Sequence, residues 1–160
     1  MTKEDINSFS YRISQASGTD LIVIMLDMTK QYINDAMTEY EAGRIEEFEG
    51  YTKQAKRVTD ALSSSLDMQY QISSELYSIY AYAGRTLNKA LIKSDIKELP
   101  VLYRVMDKLS KTFAEAAKSD TAGPLMGNTQ KVYAGLTYSN GRLNEVAYDL
   151  HGDNNRGFTV

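Results

Sequence analysis

The chain has 160 residues, of which 42% are hydrophobic and 24% charged, with a net charge of −3, one histidine and no cysteine. These figures describe one soluble domain with enough apolar material for a core and no need of a covalent staple. They exclude a disulfide framework, a thiol nucleophile and a thiolate metal site, and the scatter of Lys and Arg argues against a nucleic-acid partner.

The chain opens polar and acidic at Met1 to Asp5, where a secretory signal would be basic and then apolar. Its longest strongly apolar run, Leu21 to Leu26, is too short to span a bilayer, so a cytoplasmic protein without membrane insertion is expected. Phe9, Tyr11 and Ile13 stand two apart, which suggests an extended, mobile arm before Gly18 that covers an apolar groove until a partner displaces it. Ser17-Gly18-Thr19-Asp20 is a capping box, and a helix follows with Leu21, Met25, Met28, Tyr32 and Ala36 on its apolar stripe. Ile22, Ile33, Met37 and Tyr40 flank that stripe until Gly43, a residue suited to the position just past a helix end.

A second predicted helix carries Phe48, Tyr51, Ala55, Val58, Leu62 and Leu66 at helical spacing, with Glu46 and Glu47 near its start as the helix dipole favours. After a turn around Asp67-Met68-Gln69, a third helix places Ile72, Leu76, Ile79, Ala83, Leu87 and Ala90 on one stripe. Tyr77, Tyr80, Gly84 and Leu91 form an adjoining face, so this helix either serves a core and a ligand or packs on both faces inside a bundle. Asp95-x-x-Glu98 suggests a second capping box, and Pro100 suits a first turn. The fourth helix has Leu99, Leu102, Met106, Leu109, Phe113 and Ala116 on its stripe and is stopped by Gly123-Pro124.

Short links between these helices predict an all-α fold, an antiparallel four-helix bundle with a mobile N-terminal arm and a C-terminal extension. The expected domains are the bundle with its arm over residues 1–120 and the extension over 121–160. In the extension, Asn140-Gly141 marks a turn, and Leu143, Val146, Ala147 and Leu150 have helical spacing, so a turn and a short helix are expected, packed back on the bundle or offered to another protein. A di-metal bundle needs a Glu-x-x-His pair from each of two helices, and the single His151 lies in the polar run 149–155. Ser63-Ser64-Ser65 has no histidine or cysteine partner, and the glycines form no phosphate-binding loop. The expectation is a protein that is not an enzyme and uses no cofactor or metal.

One ordered set of residues goes further. Tyr11, Ala16-Ser17, Asp20-Leu21-Ile22, Asp27, Ala36, Lys53-x-Ala55, Ser65-Leu66-Asp67, Ile79-Tyr80-x-Tyr82, Arg85, Leu87, Ala90 and Asp95 follow one another at spacings that resemble the flagellin export chaperones, the FliS family. The resemblance covers about residues 11–118 and implies an elongated helical bundle in the bacterial cytosol. It implies binding of the C-terminal segment of flagellin, prevention of premature polymerisation, and delivery to the flagellar export gate. Carried onto this chain, it makes Tyr11, Ala16, Ser17, Leu21, Ile79, Tyr80, Tyr82, Arg85, Leu87 and Ala90 the partner-binding residues. The chain departs from the family's usual Thr-Ala-Ser-Pro by reading Gln15-Ala16-Ser17-Gly18, which loosens the approach to the first helix. The alternatives are a self-assembling helical structural subunit and an unrelated protein-binding adaptor bundle. Monomer and dimer are both open.

Overall fold

The computed structural model describes residues 1–126, which form five α-helices and no strand. They are α1 (Lys3–Gln15), α2 (Gly18–Glu41), α3 (Ile45–Ser64), α4 (Gln71–Lys93) and α5 (Leu99–Ala117). The all-α class is as expected. The turn at Asn140-Gly141, the short helix after it and His151 lie outside the described residues.

The N-terminal arm differs from its expectation, because residues 3–15 are helical rather than extended. The Asp5 backbone N–H donates to the Thr2 hydroxyl at 3.1 Å, and the Thr2 N–H donates to the Asp5 carboxylate at 2.7 Å, a reciprocal cap that starts the helix. Phe9 and Ile13 are one turn apart and both partly buried, while Tyr11 points away and is 58% exposed. What looked like alternation is one helical face with an outlier between its members.

Ser17 caps α2 as the sequence suggests: the Asp20 N–H donates to its hydroxyl at 3.2 Å, and its own N–H donates to the Asp20 carboxylate at 3.2 Å. The other end of α2 is closed by Gly43 at φ 74°, with the Gly43 N–H bonded to the Tyr40 carbonyl and the Arg44 N–H to the Glu39 carbonyl. This paired pattern needs a left-handed residue, which glycine supplies without a Cβ clash. The turn expected near Asp67 is present, with α3 ending at Ser64 and α4 starting at Gln71. The second capping box does not form. Asp95 accepts instead from the Lys97 N–H at 3.0 Å in a short turn, and α5 starts at Leu99 with Pro100 in its first turn. Helix α5 then stops at Ala117, before Gly123-Pro124 is reached.

Helix α2 packs against both α3 and α5, α3 also packs on α4, α1 lies on α2, and α4 meets α5 only sparsely. Tyr40 meets Phe48 edge to face at 5.2 Å between ring centres, and Tyr32 meets Tyr51 at 6.4 Å. Residues falling along α2 therefore meet residues rising along α3, so the two run antiparallel. Lys30 opposite Asp107 and Asp27 opposite Ser110 show the same for α2 and α5.

One core joins α2 to α5, and Leu26, Ile33, Ala36, Phe48, Ala55, Leu87, Leu99, Leu102 and Met106 are fully buried in it. The expected stripes are buried at Phe48, Ala55 and Leu62 of α3, at Leu76, Ala83, Leu87 and Ala90 of α4 and at Leu99, Leu102 and Met106 of α5, while that of α2 is rotated. In α2 the buried line is Leu26, Thr29, Ile33 and Ala36, whereas Leu21, Met25, Met28 and Tyr32 are only partly covered. In α4 Tyr80 joins the core and Ile72 is 60% exposed, its place inside taken by Ser73. Threonine hid the α2 line from a search for apolar residues. Thr29, Thr52 and Thr59 are buried because each hydroxyl donates to the carbonyl one turn back, of Met25, Phe48 and Ala55, at 2.7–2.9 Å.

Candidate functional site

The residues assigned to partner binding fall into two regions, on helices joined through α3 and α5. Tyr11, Ala16, Ser17 and Leu21 surround the elbow between α1 and α2, while Ile79, Tyr80, Tyr82, Arg85, Leu87 and Ala90 lie on α4, which packs on α3 and α5. In the first region Tyr11 is exposed, Leu21 partly buried, and Ala16 and Ser17 buried. In the second, Arg85 is exposed, Ile79 and Tyr82 are partly buried, and Tyr80, Leu87 and Ala90 belong to the core. Ala16, Ser17, Tyr80, Leu87 and Ala90 are thus closed to solvent, whereas Tyr11, Leu21, Ile79, Tyr82 and Arg85 keep exposed area. Periodicity could not separate these roles, because it gives a residue's direction and not what lies there.

Of the apolar face expected beside the core stripe of α4, Tyr77 is exposed, Gly84 and Leu91 are partly buried and Tyr80 is in the core. Met68, Tyr70, Ile72 and Tyr77 are each more than half exposed, around the α3–α4 link and the first turns of α4. Each is a large side chain that loses favourable burial by facing water. Ile72 was legible in the sequence as apolar but was assigned to the core stripe.

Polar groups carry the elbow region. The Asp27 carboxylate accepts from the Arg12 guanidinium of α1 at 2.7 Å and from the Ser110 hydroxyl of α5 at 2.7 Å, and lies 3.0 Å from the Lys30 ammonium. Burial pushes its pKa up, but the bonds from Arg12, Ser110 and Lys30 outweigh burial and hold it below the ordinary carboxylate value. Lys30 reaches on to Asp107 at 3.1 Å, and although burial disfavours its charge, Asp27 and Asp107 together raise its pKa. At the far end of α1 the Met1 amino group bonds Asp35 and approaches the Tyr51 hydroxyl at 3.2 Å. The arm thus lies over a mixed surface rather than an apolar groove: Phe9, Asp27, Lys30, Gln31, Asn34 and Tyr103 line an open cleft of about 410 Å³.

The chain after α5 returns to the elbow. The Leu125 N–H donates to the Ala16 carbonyl at 2.9 Å, and the Asp120 carboxylate lies 3.3 Å from the Ser17 hydroxyl and accepts from the Ala122 N–H at 2.9 Å. Hydrogen bonds from Thr19, Ala122 and Ser17 hold the Asp120 pKa below its ordinary value. Asp27, Ser110 and Asp120 carried no assigned contact in the sequence reading, because their partners come from elements up to 103 positions away.

These groups bind and position; the network holds no paired nucleophile and base. Among the described residues no group of three His, Cys, Asp or Glu side chains is placed to hold a metal ion, and no helix is long and apolar enough to cross a membrane. A comparison with curated proteins returns no match. Over residues 4–120, nearly the whole of the described helices, the chain matches the family described as flagellar protein FliS, and it belongs to that family of flagellar chaperones.

Proposed function

We propose that this protein is a cytosolic export chaperone that binds the C-terminal segment of flagellin, keeps it from polymerising early and delivers it to the export gate. The observation that carries the reading, beside the family, is the group Met68, Tyr70, Ile72 and Tyr77, four large apolar or aromatic side chains left facing water within ten positions of one another. A disordered segment that folds into amphipathic helices on such a surface gains apolar burial and satisfies its own backbone hydrogen bonds. An interface of about 1,500 Å² is of standard size, and ordering costs bring its affinity into the micromolar to nanomolar range. Ile79, Tyr82 and Arg85 flank the apolar group on α4 and set the register of the bound helix. Neither nucleotide nor metal is needed, because handing the segment to another protein releases it.

Titration with a flagellin C-terminal peptide of about 40 residues tests the proposal, with one-to-one heat and a gain of helix in far-UV circular dichroism expected. No heat and no helix gain at about 100 μM of each component removes it. Helix α1 lies over the mixed cleft on α2 rather than over this group, so deletion of residues 1–14 asks whether the segment also uses that cleft: tighter peptide binding says that it does, and unchanged affinity confines the segment to the group around α4. Polymerisation of the pure protein with rising concentration would instead favour a self-assembling subunit.

A further inference from the structure

One line of residues on α4 carries unmatched charge at both ends. Ile72, Glu75, Ile79, Tyr82, Lys89 and Lys93 recur at helical steps, with Thr86 keeping the spacing between Tyr82 and Lys89, so they share one side of the helix beside the core stripe. Glu75, Lys89 and Lys93 are exposed, Ile72 is 60% exposed, and Ile79 and Tyr82 are half-buried. From Val58 to Gly84 the chain has no Lys or Arg, whereas Arg85, Lys89, Lys93 and Lys97 then follow at steps of four. That order suits the helix dipole, but a dipole asks for no apolar residues between the charges. Among the described residues neither Glu75 nor Lys93 has an ion-pair partner, and the sparse packing of α4 on α5 leaves the line open along its length.

At its basic end the line opens into a cavity of about 250 Å³, lined by Thr86, Lys89, Ala90 and Lys93 of α4 and by the link to α5. Thr86 is 3% exposed, and its hydroxyl, unlike those of Thr29, Thr52 and Thr59, bonds neither the carbonyl one turn back nor any other described residue. No fully buried side-chain polar atom among the described residues lacks a partner, so this hydroxyl keeps its small open area, on the cavity that Thr86 lines. Around the rim Lys89 is held by Glu98 and Lys97 by Asp95, which leaves Lys93 without a counter-charge. We propose that this line seats an amphipathic helix of another protein whose two ends carry opposite charge, its acidic end placing a carboxylate against Thr86 and Lys93 and its basic end lying at Glu75. This rests on the reading of α4 as the partner's seat and adds the direction in which the bound segment lies. A carboxylate is the group that fits, because it accepts from the Thr86 hydroxyl and pairs with the Lys93 ammonium at once. Between the ends, Ile79 and Tyr82 meet apolar residues of the partner at steps of three and four. Glu75 and Lys93 are about 27 Å apart along the helix at 1.5 Å per residue, so five turns of partner helix cover the line.

The test uses the full chain and synthetic helical peptides of about 20 residues with Leu at steps of three and four. Two peptides carry Lys over one half and Glu over the other, in opposite orders, and a third has Gln in place of every Glu. Both graded peptides should bind about fivefold tighter than the Gln peptide at low salt, and the preference should shrink at about 1 M salt. A nitroxide on the acidic end should broaden amides around Lys93 and not those around Glu75, whichever terminus of the peptide is acidic. Thr86→Val and Lys93→Gln should each weaken the graded peptides about threefold and leave the Gln peptide unaffected. Lys93 is exposed, so its variant decides the matter where Thr86→Val disturbs the fold. No binding at about 100 μM, equal affinity of the three peptides, or an acidic end found equally at both ends of α4 overturns the proposal. So do variants that weaken the Gln peptide as much as the graded ones. If the graded peptides respond as expected and the flagellin peptide does not bind, the chaperone reading fails and the seat stands. A flagellin peptide that binds, beside graded peptides indifferent to both variants, has the opposite meaning.

Discussion

Helix α1 starts with Thr2 and Asp5 bonded reciprocally, and α2 starts with Ser17 and Asp20 bonded in the same way. From that shared beginning they diverge. Helix α2 puts Leu26, Thr29, Ile33 and Ala36 out of water between α3 and α5, whereas α1 buries only Ser14 and relies on Arg12 and the Met1 amino group for its hold. A cap decides that a segment is helical; burial decides whether the helix has a fixed place. The same local chemistry thus serves a pillar in one case and a cover in the other.

The difference is open to direct attack. Ile33→Ala should have the largest effect, about 2–5 kcal/mol from lost burial and a cavity, read as a lower urea midpoint for the whole molecule. Asp27→Asn should cost less, about 1–2 kcal/mol, since it weakens charge-assisted bonds from α1, α2 and α5 at one partly exposed carboxylate. Its mark should be faster amide exchange in α1 than in α3. Loss of the cap should separate the helices again: Thr2→Ala should remove about 1 kcal/mol from α1 alone, seen as fraying by amide exchange, while Ser17→Ala should lower the global midpoint as well, because its hydroxyl is buried. The smallest effect is a gain. Gly18 is the first residue of α2 and a Cβ there meets nothing within 4 Å, so Gly18→Ala should stabilise the protein by about 0.5 kcal/mol and raise the midpoint accordingly.

Acid and alkali should also act on different regions. Asp27, Asp107 and Asp120 all have folded pKa values below the usual 3.8, so their contribution is present above the unfolded value and is lost as pH falls through the folded values. Because these groups tie α1, α2, α5 and the elbow, protection of α1 should fade first below about pH 4. Tyr80 behaves oppositely: burial raises its pKa from 10.0 to about 12, so it is neutral in the core and its contribution is complete below pH 10. That contribution disappears as pH rises from there through the folded value, and core exchange on α4 reports it. If alkali loosened α1 before α4, the division between cover and core would be wrong.

Much of this was legible where the deciding atoms are near neighbours in sequence. The Ser17–Asp20 cap, the Gly43 stop and the turn after Ser65 each depend on contacts within about one turn. Thr2-x-x-Asp5 is equally local, but the two-residue spacing of Phe9, Tyr11 and Ile13 points against the helix that it starts. The stripes of α3 and α5 were legible at Phe48, Ala55, Leu62, Leu99, Leu102 and Met106, and that of α2 only to within a neighbouring face. Tyr80 and Ile72 exchanged places with respect to the core, because Ser73 is small and its hydroxyl is satisfied by the Asp67 carbonyl at 2.6 Å. The α4 residues drawn from the family pattern turned out to mix core with surface, and the Asp27 and Asp120 contacts needed the register between distant helices.

The buried threonines have one more consequence. Thr29, Thr52 and Thr59 spend their hydroxyls on their own helices, so none of the three pins its helix to a neighbour by a directional bond. What these threonines have left to offer a neighbouring helix is a methyl group, a surface that tolerates small sliding without a polar contact being broken. Cross-helix polar fastening between α2 and α5 sits at the partly exposed rim, at Asp27, Ser110, Lys30 and Asp107. The interior can therefore behave as a lubricated joint with its clasps on the outside, letting the bundle adapt its girth to an object laid against it while keeping its hydrogen bonds intact.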